Sequence, residues 1–190
     1  IKYVMVKLIK ILSIIIIIFS TKSSFAEIGT ESWSKKCGSN ENKDNCVIGI
    51  KNEVEREDNK KQTVATAYIR IASSKQKEMN LIDEKDQTYK LSEKNKDVPY
   101  LTINLPLNSD LRKNPLIVSD NKSIGNLSYT HCNQTIGCST VLLINEKIIE
   151  AFKKGKSMSV TFGVYGSEKN MKIDFPLKGF SKAYKKLVKS

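Results

Sequence analysis

The chain has 190 residues and a formal net charge of +12, and 39% of its residues are hydrophobic. That size suits one domain around a single buried core and requires no second one. The positive charge is almost all Lys, with Arg only at Arg56, Arg70 and Arg112, in a chain also rich in Asn and Ile. This is the bias of an AT-rich coding sequence and argues against a dedicated phosphate or carboxylate site, which would recruit Arg forks.

Lys2, Lys7 and Lys10 precede an uncharged apolar stretch from Ile11 to Thr21, and Ser24-Phe25-Ala26 forms a small-x-small cleavage site. These features read as a secretory signal peptide over residues 1–26, cleaved after Ala26, with Met5 well placed to start it. The apolar run is shorter than the roughly 20 residues of a membrane-spanning helix. No cysteine stands at the cleavage point, so no lipoprotein anchor is expected. The mature chain then covers 27–190 as one domain without a transmembrane span. It loses Lys2, Lys7, Lys10 and Lys22 and no acid, so its net charge becomes +8.

Cys37, Cys46, Cys132 and Cys138 are the four cysteines, and an even count in an oxidising compartment reads as a disulfide framework with three possible connectivities. Local pairing is favoured. Cys37 with Cys46 closes a loop, 38–45, made almost wholly of turn formers, and Cys132 with Cys138 closes the tighter 133–137. Each closure is worth roughly 2 to 3 kcal/mol by chain entropy. Neither pair has the usual zinc spacing, and neither is the C-x-x-C of a redox site, so no metal or cofactor is expected.

Strand signals then follow in order: 46–50, 64–71, 100–105, 116–118, 127–129, 139–144, 157–165 and 171–175. Turn formers separate them at Asn108-Ser109-Asp110, Asp120-Asn121-Lys122-Ser123 and Gly166-Ser167. In the 157–165 run, Met158, Val160, Phe162 and Val164 share one face, as in a half-buried antiparallel strand. Two helices are predicted. Asn145 caps the first, over 146–154, with Ile148, Ile149 and Phe152 on one face and Gly155 ending it. The second covers about 179–189, with Phe180, Ala183, Tyr184 and Leu187 as its apolar stripe, which docks on its own domain. Eight strands and few helices predict an all-β fold, an immunoglobulin-like antiparallel β-sandwich with one or two short helices and two local disulfides. Trp33 is expected in the core near the first cysteine pair, and Phe180 as the anchor of the last helix.

Residues 73–98 are crowded with charge and read as a solvated loop or insertion, with room for one irregular strand. Asp83, Glu84 and Asp86 within it lack the buried surroundings that a general acid needs. His131 is the only histidine. A Ser-His-Asp triad would have to use it, yet no G-x-S-x-G is present, and no phosphate-cradling glycine motif occurs. Three N-x-S/T triplets, at Asn121, Asn126 and Asn133, would matter only in a host with glycosylation machinery.

The order of these features resembles the invasion-associated locus B family of exported bacterial proteins. Trp33 stands before Cys37 and Cys46, and an extended segment ends in Leu105-Pro106. Tyr129-Thr130-His131-Cys132 then leads to Gly137-Cys138-Ser139, followed by Leu142-Leu143, Lys154-Gly155-Lys156 and the strand 160–164. Phe175-Pro176-Leu177-Lys178-Gly179-Phe180-Ser181-Lys182-Ala183 is similar to the family's P-S-L-x-G-F-x-x-A ending, one residue shorter between Pro176 and Leu177. The resemblance covers nearly the whole mature chain and is strongest from Tyr100 onward. Residues 73–98 show no clear counterpart pattern, and Asn114-Pro115 replaces a glycine-containing turn.

The resemblance implies a periplasmic, outer-membrane-associated or secreted β-sandwich, with some members linked to entry into host cells such as erythrocytes, and no enzymatic activity or cofactor. The leading expectation is a non-catalytic envelope or secreted protein that binds an unknown protein or envelope partner, its surface on 73–98 and the Lys-rich C-terminal face. One alternative is a periplasmic enzyme or enzyme accessory built on His131. Another is lysine-driven adhesion to anionic surface polymers. No specific nucleic-acid partner is expected.

Overall fold

The computed structural model describes residues 29–38, 46–71, 80–82, 88–90 and 98–189. Residues 1–26, expected to be a leader, and most of the charged segment 73–98 lie outside these residues. Among the described residues, twelve strands form three antiparallel sheets. The largest has the order β1 (Ser34–Cys37), β2 (Cys46–Glu55), β3 (Lys61–Ile71), β6 (Pro99–Leu105), β10 (Gly137–Leu143) and β9 (Ser128–Asn133). The second runs β12 (Asn170–Pro176), β11 (Ser157–Gly163), β7 (Leu116–Ser119) and β8 (Lys122–Asn126). A short ribbon of β4 (Asn80–Ile82) and β5 (Thr88–Lys90) forms the third. The irregular strand allowed for in 73–98 is therefore a two-stranded ribbon.

Alternation explains how the two large sheets share one interior. Ile48, Ile50, Ala67, Ile69, Leu101, Ile103 and Leu142 of the first sheet fill it, and so do Ile117, Met158, Val160, Phe162, Ile173 and Phe175 of the second. Burial of such faces is what holds two antiparallel sheets together as a sandwich. The all-β expectation holds, with two departures. β1 carries no alternating signal in Ser-Lys-Lys-Cys, and it becomes a strand by pairing with β2. β8 takes up Lys122 and Ser123, which read as turn. The actual turn is the two-residue hairpin of Asp120 and Asn121, both at positive φ (44° and 67°), which suits the twist of the flanking strands.

Both helices form where periodicity places them. In α1 (Glu146–Lys154) the Asn145 side chain accepts the N–H of Ile148 at 3.0 Å, and Ile148, Ile149 and Phe152 are buried. Gly155 ends the helix as expected, without the left-handed conformation common at such caps. Its φ is −75°, and a Cβ there would come 2.8 Å from both the Ala151 carbonyl and Leu177 Cδ1. In α2 (Phe180–Val188), Phe180, Ala183 and Leu187 are buried, and Gly179 supplies a φ of 79° at the helix start.

Trp33 and Phe180 join early and late parts of the chain. Trp33 Nε1 donates to the Pro176 carbonyl at 3.0 Å, its backbone N–H donates to the Lys178 carbonyl at 3.0 Å, and its ring meets Phe180 edge-on at 5.2 Å. Phe180 also meets Phe152 of α1 edge-on at 5.5 Å and stacks on Tyr184. The fully buried Phe180 ring thus touches Trp33, just before the first strand, Phe152 of α1 and Tyr184 of its own helix, and Trp33 carries the link on to the end of β12. Phe180→Ala is expected to lower the unfolding free energy by about 3 to 5 kcal/mol in urea titration. A loss under about 1 kcal/mol would mean the helix contributes little to stability.

Candidate functional site

The two ends of the sandwich differ in kind. At one end lie α1, α2 and the β7–β8 hairpin. At the other are four connections: 56–60 between β2 and β3, 106–115 between β6 and β7, 134–136 between β9 and β10, and 164–169 between β11 and β12. Eight large apolar side chains stand exposed among the described residues. Seven of them, Val54, Leu107, Leu111, Leu116, Ile136, Tyr165 and Met171, lie in these connections or within two strand positions of them. Only Val188 lies at the helix end. Exposed apolar side chains gathered at one pole mark a contact surface, whereas scattered ones mean little.

The 106–115 connection is held firmly against the opposite sheet. Ser109 forms a bridge with Val164 and donates its hydroxyl to the Pro106 carbonyl at 2.6 Å. Asp110 N–H donates to Gly163 O and Tyr165 N–H to Asn108 O, both at 2.8 Å. The Asp110 side chain is 2% exposed. Such a buried carboxylate needs a partner, and Arg112 provides it, donating from Nε at 2.8 Å and from Nη2 at 2.9 Å. These hydrogen bonds from Arg112 are the main reason the Asp110 carboxyl drops from 3.8 to about 2. The rest of the guanidinium lies over the Tyr165 ring, 5.7 Å from its centroid, and Tyr165 itself is 72% exposed. A buried acid therefore orients an exposed Arg and Tyr pair.

Beside this surface, on the outer side of the large sheet, is a cleft of about 530 Å³. Gln62, Thr66, Asn104, Gln134, Thr135 and Ile136 are among its lining residues. The Cys132–Cys138 disulfide closes the turn that forms one wall, directly across the β9–β10 register. Within that turn the Asn133 side chain accepts the N–H groups of Thr135 and Ile136 at 3.0 and 2.9 Å. Gly137 sits at φ 84°, where a Cβ would collide with the Leu105 carbonyl. A second cleft, about 390 Å³, lies at the helix end between α1 and the β7–β8 hairpin, with Lys122, Lys147 and Lys154 on its rim. Asp120 there accepts the N–H groups of Lys156 and Ser157 at 3.0 to 3.1 Å, which lowers its pKa.

The residues singled out from sequence fall mainly into scaffold positions. Cys37 is bonded to Cys46 across the β1–β2 register, and Cys132 to Cys138. His131 is exposed on edge strand β9, with Nδ1 3.2 Å from its neighbour Thr130 Oγ1, and it lines neither cleft. Asp83, Glu84 and Asp86 lie outside the described residues. Among the described residues no cluster of His, Cys, Asp or Glu could hold a metal ion, and no helix is long and apolar enough to cross a membrane. Sequence reasoning missed Asp110, Arg112, Tyr165 and Gln134. A usable signal was the rarity of Arg: Arg112 is one of only three in a Lys-rich chain.

The family model for the invasion associated locus B (IalB) protein matches residues 74–188. The chain belongs to the IalB family. Most of the charged segment 73–98, expected to have no family counterpart, falls inside the matched span, whereas Trp33 and the Cys37–Cys46 pair precede it. The crystal structure of invasion associated protein B from Bartonella henselae is similar, with a TM-score of 0.61 and 16% identity over 83% of this chain and 92% of that one. At that identity the likeness is one of fold. No curated protein matches the sequence. IalB membership and the two disulfides together suggest an exported protein.

The acid–base state of Asp110 gives a direct check. Its folded pKa lies below its unfolded value, so its stabilisation is full above about pH 4 and is lost as pH falls toward 2. The stability gap between the natural chain and Asp110→Asn, measured by urea titration, should therefore narrow from about pH 5 to about pH 2. A gap that stays constant would mean the ion pair does not hold this connection.

Proposed function

We propose that this IalB-family chain is a non-catalytic exported envelope or secreted protein that acts through protein contacts at its loop end. Invasion of host cells is the biological role that the family suggests. In this reading residues 1–26 are a cleaved leader and 27–190 form the single working domain. The observation that carries it is the gathering of seven exposed apolar side chains at one pole, around an Arg112–Tyr165 pair oriented by buried Asp110. Tyr and Arg dominate the energetics of protein interfaces because they bring large, stiff contact area together with polar handles. Connections carried on rigid strands are the usual place for such surfaces. This moves the proposed surface away from the Lys-rich C-terminal face, where only Val188 stands exposed among large apolar side chains.

A second reading is lysine-driven adhesion to anionic surface polymers, favoured by Lys122, Lys147 and Lys154 around the helix-end cleft. Binding of this kind collapses between low and moderate salt.

Site-specific photo-crosslinking in intact cells separates the two. A benzophenone side chain in place of Leu111 should give a discrete envelope or host-surface protein adduct. The same group in place of Lys147 should not. Adding Tyr165→Ala should lower the adduct yield at least tenfold, the equivalent of about 1.4 kcal/mol. Adducts from Lys147 alone, lost in moderate salt, would favour adhesion, and equal adducts from both positions would contradict a loop-end contact.

A further inference from the structure

The cleft beside the loop end is uncharged, although 27% of the chain's residues are charged. None of the twelve described residues lining it is ionisable. Its floor belongs to the outer face of the large sheet. Ala65, Ala67, Ile103 and Leu105 turn into the core, so their neighbours Thr66 and Asn104 turn outward. Ser139 Oγ donates to Asn104 Oδ1 at 2.7 Å, and Asn104 Nδ2 donates to Thr66 Oγ1 at 3.0 Å, so the floor is fixed before any ligand arrives. The wall at 134–136 is held by the Asn133 side chain and the Cys132–Cys138 disulfide. Gln62 and Gln134 supply amides, Thr135 supplies a hydroxyl, and Leu107 and Ile136 supply aliphatic surface, while the Thr63 hydroxyl donates to Glu53 Oε1 at 3.4 Å.

This composition selects a class of ligand. An anion or cation would lose its hydration and meet no opposite charge. An extended peptide gains its affinity from a long free sheet edge, whereas β3, paired with β2 on its other side, offers one beside the cleft only over its first five residues, 61–65, because β6 pairs with it from Thr66 onward. Amides and hydroxyls both donate and accept hydrogen bonds, and so do the hydroxyls of a sugar, whose C–H faces suit aliphatic side chains. The volume of about 530 Å³ is ordinary for a small-molecule site. We propose that this cleft, between β3, the β9–β10 turn and the start of the 106–115 connection, binds an uncharged saccharide. The proposal goes beyond the protein-contact reading; it shares Leu107 and Ile136 with that surface and otherwise rests on different residues.

Saturation-transfer NMR on the full mature chain tests it, with maltotriose, chitotriose and N-acetyllactosamine as neutral probes and a sulfated heparin disaccharide as the charged control. At least one neutral probe should show transfer, and the double variant Gln62→Ala/Gln134→Ala should weaken it at least tenfold. Both glutamines line the cleft from the surface, and far-UV circular dichroism checks that the variant is folded. Tyr165→Ala should leave saccharide binding unchanged, which separates failure here from failure of the protein-contact surface. The proposal is overturned if no neutral probe shows transfer, if the double variant binds as well as the natural chain, or if only the sulfated sugar binds.

Discussion

The contact between Trp33 and Phe180 is the constraint on which the rest of the structure depends. A β-sandwich needs its two sheets fixed to each other, and here the residue that leads into the first strand of one sheet is tied to the last strand of the other. The Trp33 indole donates to Pro176 and packs edge-on against Phe180, which in turn reaches Phe152 of α1 and Tyr184 of its own helix. Gly179 makes this approach possible, because a Cβ there would come 3.2 Å from the Trp33 carbonyl. The aromatic contacts combine large apolar burial with directional ring geometry. They close the helix end of the sandwich.

With that end closed, the opposite end is free to carry exposed connections. Its rigidity comes from local devices: the Cys132–Cys138 disulfide, the Asn133 turn, and the buried Asp110 that draws in Arg112. Each orders a surface group without using the core. The two clefts differ in charge. Lysines surround the helix-end cleft, and the loop-end cleft has no ionisable lining residue among those described. A basic chain thus keeps an uncharged recess beside a pole where exposed apolar side chains stand among charged ones such as Arg56, Lys60 and Lys113.

Much of the scaffold was legible because burial imposes periodicity. Met158, Val160 and Phe162 announce β11, and Ile148, Ile149 and Phe152 announce the buried face of α1. β1 was hidden because Lys35 and Lys36 carry no alternating pattern, and its conformation comes from pairing with β2. β8 was hidden for a similar reason, since Lys122 and Ser123 are polar and extend only because β7 lies beside them. The loop-end surface was the least legible part. Asp110, Arg112 and Tyr165 sit in segments that read as turns or strand ends, and only the bridge from Ser109 to Val164 brings them together. Side chains placed by long-range contacts leave no periodic trace in sequence. The same holds for the second role of Gly155, which ends α1 as its sequence suggests and also makes room for Ala151 O and Leu177.

If the Trp33–Phe180 contact joins the two sheets and both helices into one unit, its loss and the loss of the sheets must be a single event. Trp33 is the only tryptophan in the chain, so tryptophan fluorescence reports on the surroundings of this one indole, Phe180 and Pro176 included. The most direct measurement is a urea titration followed on the same samples by tryptophan fluorescence and by far-UV circular dichroism. One transition with a shared midpoint is the predicted result. A fluorescence change completed at lower urea, with the strand signal still intact, would contradict the account by showing that the first strand and last helix detach from a sandwich that stands without them.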